Sequence, residues 1–457
     1  LLDSVDPAKA DTLLAHLEGV ERIDYVIAHH AEQDHSGSIP LVLERHPEAV
    51  VLATEKGVEL LAQHLLIPAE RFRTVADGNW SSVANWERYD GSAWTSATYY
   101  PGNGATNEVN VDNSITLDVS VTIPKLTITG TLNGSGNFTL TTTGDLTCIG
   151  SLSWTNNAGG AITVQGNLLI SGSFSIFNRN LTVNGTTTLN GNGSFTDGSD
   201  TGTNQFSGTV TLNDASAFTS SAVTTNGNLN FGANITHSST GTIQIGTASI
   251  SGNLEVNSGT FSKTAAGTLT VTGTTTLNNS GALSITSNSQ SNFVGKVTLN
   301  GNSTWTTTAV NTTGRLTLAN GLEQNSTGAI LFGTCTFQTN PQSIAVANST
   351  GNISFANTVI VASNLNVQNL GDGTGAGEVR FNGDVTIQDN IILTSNRTII
   401  IYGILNGATV TSTFVNNSTL EFRGTNAPMV TGVFDVDNAG TTVNYSRDGN
   451  QTVAPAT

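Results

Sequence analysis

From about residue 113 onward the chain alternates apolar and polar residues with a period of two, in short runs broken by Gly and Asn. Such runs predict β-strands with one buried face. Gly-x-Φ-x-Φ, with Φ usually apolar, recurs from Gly144 through Gly166, Gly185, Gly208, Gly227, Gly252, Gly273, Gly295, Gly314 and Gly333. Asn357 and Gly383 extend the series, with steps of 19 to 26 residues and a mean near 22. The paired Φ positions run from Leu146/Cys148 and Leu168/Ile170 to Val385/Ile387. A coil of this size cannot bury its own apolar face, whereas stacked coils share one interior. The expected fold is mainly β: a single-stranded parallel β-helix (β-solenoid) with about 22 residues per coil. The crossover rule makes it right-handed. About 15 coils at roughly 4.8 Å would give a rod on the order of 70 Å long.

The first 77 residues follow another pattern. Asp6-Pro7 predicts a helix start, Leu13, Leu14 and Leu17 recur at helical spacing, and Gly19 is a stop. Tyr25–Ala28 reads as a buried parallel strand, Ile39–Arg45 as a helix, Ala49–Ala53 as a second strand and Thr54 to His64 as a third helix.

Composition sharpens that division. Residues 1–77 hold 6 Lys/Arg, 14 Asp/Glu and 3 Gly; residues 78–457 hold 10, 19 and 46. Six of the seven His precede residue 65, leaving His237. The expected parts are an α/β fragment over 1–77, a Trp-rich N-terminal cap of the solenoid over 78–112, and a β-helix, incomplete at its C-terminus, over 113–457. The net charge of -17, with no cluster of basic residues in the sequence, argues against nucleic-acid partners. No apolar run is long enough for a membrane span. Cys148 and Cys335 fall at equivalent interior positions many coils apart, so they are core fillers without a disulfide.

Candidate chemistry sits where the strand at 25–28 ends, in His29-His30-Ala31-Glu32-Gln33-Asp34-His35-Ser36-Gly37. Imidazoles and carboxylates at the carboxyl end of a strand suit iron, manganese or zinc. This motif, with Val5-Asp6-Pro7-Ala8-Lys9, Glu55-Lys56-Gly57 and Arg71-Phe72-Arg73, resembles the metallo-β-lactamase-like domain of flavodiiron proteins, the A-type flavoproteins that reduce oxygen or nitric oxide. Glu32, where the hydrolytic zinc branch has His, points to the di-iron branch. The resemblance implies His30 and Glu32 on one iron, Asp34 on the other and His35 as an optional ligand. It also implies further ligands well downstream, which His46 and His64 reach too early and His237 only in the unrelated part. The FMN domain of that family is absent, so this truncated fragment is expected to lack redox catalysis and not to hold its di-iron centre. The resemblance would place it in the cytoplasm.

The segment from Gly78 holds Trp80, Trp86 and Trp94, which suit a solenoid cap or, alternatively, a carbohydrate-binding aromatic platform. With Val109-Asn110-Val111-Asp112 onward it resembles secreted Bacteroidota-type parallel β-helix surface proteins. That implies an extracellular or cell-surface structural or adhesive role without catalysis or cofactor, and glycans or cell-surface components as partners. The alternatives are a di-iron oxidoreductase completed by missing sequence, and a polysaccharide-binding or -cleaving β-helix. For cleavage the nearest carboxylate pairs, Asp197/Asp200, Asp384/Asp389 and Asp435/Asp437, read as turn residues or solvated edges. Thr-rich runs at 141–143, 186–188, 274–276 and 306–308 are too irregularly spaced for a flat ice-binding face. A cytoplasmic fragment joined to a secreted rod at Asp77-Gly78 reads as an assembly or gene-calling artefact.

Overall fold

The structure is a computed structural model. It describes residues 3–20, 22–29, 32–46, 49–53, 61, 71–90, 93–154, 160–177, 179–198, 202–220, 228–307, 316–339, 342–347, 352–370 and 377–454. It is mainly β, with 6% helix, and forms a parallel β-solenoid of about 16 turns at about 22 residues per turn. Two compact units are distinguished, Leu1–Thr131 and Leu132–Thr457.

The first unit begins with the α/β pattern. Asp6 caps a short 3-10 turn, Pro7–Lys9, its Oδ1 accepting from the Ala8 N–H at 2.8 Å. Helix α1 (Ala10–His16) follows, and Gly19 turns the chain at φ +91°. Strand β1 (Tyr25–Ile27) pairs in parallel with β2 (Val50–Leu52), with α2 (Gln33–Ser36) and α3 (Ile39–Arg45) between them. Ile23, Val26, Ala28, Ile39, Val42 and Leu61 form its core. The strand expected to be buried on both faces is covered on one only: Tyr25 is 55% exposed and Ile27 36%. The helix expected over Thr54–His64, Leu61 apart, and the Glu55-Lys56-Gly57 segment lie outside the described residues.

The solenoid part of this unit starts earlier than the change in composition. Strand β3 (Arg71–Thr74) precedes β4 (Gly78–Asn79), β5 (Trp86–Tyr89), β6 (Trp94–Ser96), β7 (Glu108–Val111), β8 (Ser114–Leu117), β9 (Val121–Ile123) and β10 (Lys125–Ile128). β3 pairs antiparallel with β5 and in parallel with β7, and β10 continues from β7. Composition separates residues 71–77 from the segment beginning at Gly78, but the backbone ladder joins them. Trp80 and Trp86 are buried edge-to-face, ring centroids 4.8 Å apart.

The second unit stacks three parallel sheets. Leu146–Cys148, Leu168–Ile170, Thr187–Leu189 and Val210–Leu212 are successive strands of the first. Ser151–Trp154, Ser173–Ile176, Ser194–Asp197 and Ala217–Ser220 belong to the second. Leu140–Thr142, Ile162–Val164, Leu181–Val183 and Thr203–Phe206 belong to the third. Inward residues alternate with half-exposed ones in every strand named here from the first sheet, as at Leu146, Thr147 and Cys148.

Glycine recurs at the corners because successive coils meet backbone to backbone there. A Cβ on Gly185 would lie 2.4 Å from the Gly166 carbonyl oxygen, and one on Gly208 2.4 Å from that of Gly185. Such glycines stand before strands of all three sheets, as at Gly208, Gly172 and Gly403, which is why the repeat read from the sequence changes sheet. Val210–Leu212 pairs not with Leu229/Phe231 but with Ile235–His237, and Leu229/Phe231 belongs to the third sheet. The cysteines are therefore not equivalent: Cys148 lies in the first sheet and Cys335 in the third, both buried and free.

Side-chain amides of asparagines also run along the stack. Asn278 Nδ2 donates to Asn257 Oδ1 at 2.9 Å, and Asn300 Nδ2 donates to Asn278 Oδ1 at 2.9 Å. A second run links Asn396 to Asn366 at 2.6 Å and Asn417 to Asn396 at 2.7 Å.

Candidate functional site

The Glu32–His35 segment forms one helical turn, closed by the His35 N–H to Glu32 carbonyl bond at 3.0 Å. That turn brings Glu32, Asp34 and His35 together, with one ligand atom of each inside 4.8 Å of the others. His35 Nε2 lies 3.7 Å from Asp34 Oδ2, and its Nδ1 lies 3.8 Å from Asp3 Oδ2. The turn is anchored from behind, because the Ser4 N–H and hydroxyl both donate to the His35 carbonyl, at 2.7 and 3.1 Å. Asp3 sits at φ +54° and accepts the His29 N–H at 2.7 Å. Desolvation pulls its carboxyl upward, but the hydrogen bonds from His29 and the nearby His29 and His35 imidazoles outweigh it and hold the pKa below the usual value. His30 lies outside the described residues, as does His64; His46 ends α3 and is buried.

One imidazole and two carboxylates are a donor set for a single divalent cation. Two irons need more, and among the described residues no other group of three such side chains comes this close. The described donors suit one ion; His30, which the resemblance adds to them, lies outside the described residues. Asp34 and His35 are 66% and 45% exposed, so water would complete the shell.

Of the three tryptophans read as a cap or, alternatively, as an aromatic platform, two are unavailable to a sugar. Trp80 donates its indole N–H to the Pro101 carbonyl at 2.9 Å, and Trp86 donates to the Trp80 carbonyl at 2.8 Å. Both are fully buried, so neither offers a face to a sugar. Trp94 is half-exposed and packs against Tyr89, centroids 5.5 Å apart, with the Arg73 guanidinium over its ring at 4.4 Å.

The carboxylate pairs do not form a catalytic cluster among the described residues. Asp384 accepts the Ile404 N–H at 2.8 Å at a coil corner. Asp389 accepts from the hydroxyls of Thr409 and Thr411, whose hydrogen bonds hold its pKa below the usual value. Asp197, read as a turn or edge residue, is instead buried, accepting from Asn204 Nδ2 at 2.8 Å and Ser220 Oγ at 2.9 Å. Asp200 lies outside the described residues.

Three other buried polar groups escaped the sequence reading. Lys263 is enclosed, its Nζ donating to Ser287 and Ser289 hydroxyls at 2.9 Å each, and burial pulls its pKa down to about 8. His237 is enclosed between Leu212 and Val256 of adjacent coils, and burial lowers its pKa to about 4. Arg397 reaches the carbonyls of Val346 and Gly377 from inside the stack. The parity of Thr260-Phe261-Ser262-Lys263 was a signal: Lys263 shares the inward face with Phe261.

No protein-family profile matches the chain. No solved structure matches it. Among curated proteins it is similar to a coenzyme oxidase of Methanothermobacter marburgensis, 40% identical over 87 residues, which is 17% of this chain and 21% of the relative. It is similar to the anaerobic nitric oxide reductase flavorubredoxin of Vibrio vulnificus, 28% identical over 88 residues, 19% of this chain and 18% of the relative. The nitric oxide reductase of Moorella thermoacetica is 33% identical over 67 residues, 14% of this chain and 17% of the relative. The chain thus spans about a fifth of the length of these relatives. The similarity to flavodiiron proteins covers only the N-terminal stretch of about 90 residues, and the structure beyond it is a β-solenoid.

Proposed function

We propose that this chain is an extracellular or cell-surface protein whose solenoid serves as a structural and adhesive surface toward glycans. The observation that carries this reading is the register of uncharged hydroxyl side chains on the outside of the stack. Thr188, Thr211 and Thr236 are consecutive in the first sheet; Thr141, Thr163 and Thr182 are consecutive in the third. Loops absorb the irregular sequence spacing, so strands of unequal separation still align their outward residues. Such a surface is weakly charged and offers repeated hydrogen-bonding groups. Binding is preferred over cleavage because Asp197, Asp384 and Asp389 are engaged in structural hydrogen bonds. No helix among the described residues is long and apolar enough to cross a membrane.

The test is labelling of intact source cells with an antibody against residues 132–457, compared with permeabilised cells. Equal labelling of both supports a surface location; labelling only after permeabilisation rejects it.

The cluster of Glu32, Asp34 and His35 supports a second activity, the binding of one divalent cation by the N-terminal segment. The oxidase and reductase activities in the names of the relatives are not carried over.

A further inference from the structure

The outward face of the sheet β6–β5–β3–β7–β10 gathers side chains that are scattered in the sequence. Strand register sets Trp94 opposite Tyr89, Tyr89 opposite Arg71, Arg71 opposite Glu108 and Glu108 opposite Lys125. The neighbouring outward row holds Ser96, Glu87, Arg73, Asn110 and Thr127. Phe72, Val109 and Leu126 occupy the row between and are buried, which fixes both flanking rows on the outside.

Two guanidiniums are held by aromatic rings on this face. The Arg71 guanidinium carbon lies 5.2 Å from the Tyr89 centroid, and that of Arg73 lies 4.4 Å from the Trp94 centroid. Arg73 also donates to Glu87 through Nε at 2.9 Å and Nη2 at 2.7 Å. Glu108 is paired with Lys125 at 3.2 Å. Arg71 has no ion pair among the described residues. A guanidinium held over an aromatic ring without a carboxylate partner keeps N–H donors for a bidentate carboxylate. The face carries three cations against two carboxylates, in a chain whose net charge is -17. Of the five tryptophans, Trp94 alone is not buried.

We propose that this face binds an acidic polysaccharide carrying carboxylates. A carboxylate of the polymer docks on the Arg71 fork, a second approaches Lys125, and a sugar ring packs against Trp94 and Tyr89. Charge complementarity selects the acidic polymer. Arg71 and Lys125 are two strand spacings apart, roughly 10 Å, so a polymer with regularly placed carboxylates meets both. The proposal rests on the glycan-binding reading above.

The test is affinity electrophoresis of the purified full chain in gels containing alginate, dextran or a single-stranded oligonucleotide. The variants are Arg71→Gln, Trp94→Ala and, on another part of the solenoid, Lys296→Gln, with circular dichroism to verify folding. Expected are retardation by alginate alone, about tenfold weaker binding for Arg71→Gln, weaker binding for Trp94→Ala and no change for Lys296→Gln. Raising salt from about 50 to about 500 mM should weaken the alginate complex. Equal retardation by dextran or by the oligonucleotide, alginate binding unchanged in folded Arg71→Gln, or no alginate binding by the folded parent would each overturn the proposal. These results are read on purified protein, so a chain located inside cells that binds alginate refutes the surface location and leaves this site standing.

Discussion

His237 shows what one buried imidazole costs. Its neighbours in the column are Leu212 and Val256, and Gly259, at φ +63°, closes over it so tightly that a Cβ there would come within 2.9 Å of Nε2. Burial puts the folded pKa at about 4, against 6.5 for the free side chain. The unfolded chain therefore binds the extra proton between pH 6.5 and 4, and stability falls as the pH drops through that window. Replacing the imidazole with an apolar group, His237→Leu, should remove this component. Urea midpoints of parent and variant should differ more at pH 4 than at pH 7; a constant difference would exclude it. Lys263 acts in a more alkaline window. Its folded pKa of about 8 lies below the ordinary 10.5, so the cost of burying the cation is fullest below pH 8 and fades as pH rises toward 10.5. Lys263→Met should raise the stability read from urea unfolding at pH 7 by about 1–3 kcal/mol, and by less at pH 10.

The strand column is the unit of stability at the next scale. Phe174, Phe195 and Phe218 occupy matched positions in three successive coils, with Phe195–Phe218 centroids 4.4 Å apart and nearly parallel. Phe195 also meets Phe206 of the third sheet edge-on at 5.7 Å. Phe195→Ala removes the middle of this stack and should cost about 3–5 kcal/mol. Because each coil is held by its neighbours, that loss should appear as faster hydrogen exchange in the coils around residues 174–231. Uniformly faster exchange throughout the second unit would contradict a nearest-neighbour stack. Farther along the stack, beside strands of the first sheet, Asn300 and Asn278 each donate an amide hydrogen bond to the asparagine a coil earlier.

At the scale of the whole chain, the N-terminal segment and the solenoid carry different candidate chemistries. The donor set of the N-terminal segment leads to a definite expectation: equilibrium dialysis of the full chain against zinc or manganese gives one ion per chain, abolished in His35→Ala and weakened in Asp34→Asn. Two ions per chain would restore a dinuclear reading.

Much of the architecture was legible beforehand. Inward–outward alternation reports burial directly in a strand, and a mean spacing near 22 residues reports one coil. The proximity of Glu32, Asp34 and His35 was legible because all three lie within four residues on one turn. The identity of the corner at each glycine was not, since more than one corner demands glycine for the same close backbone approach.

By itself the sequence determined a solenoid, its repeat length and the break in character near Asp77, because these depend on local periodicity and composition. Only the tertiary structure decided which strands are neighbours. It moved Arg71–Thr74 into the ladder with β5 and β7, buried Trp80 and Trp86, and drew Asp197 and Lys263 inside. It also set Arg71, Tyr89, Trp94 and Lys125 in one row. The physical reason is that strand register, a long-range property of backbone hydrogen bonding, determines side-chain proximity between coils, and no local pattern along the chain encodes it.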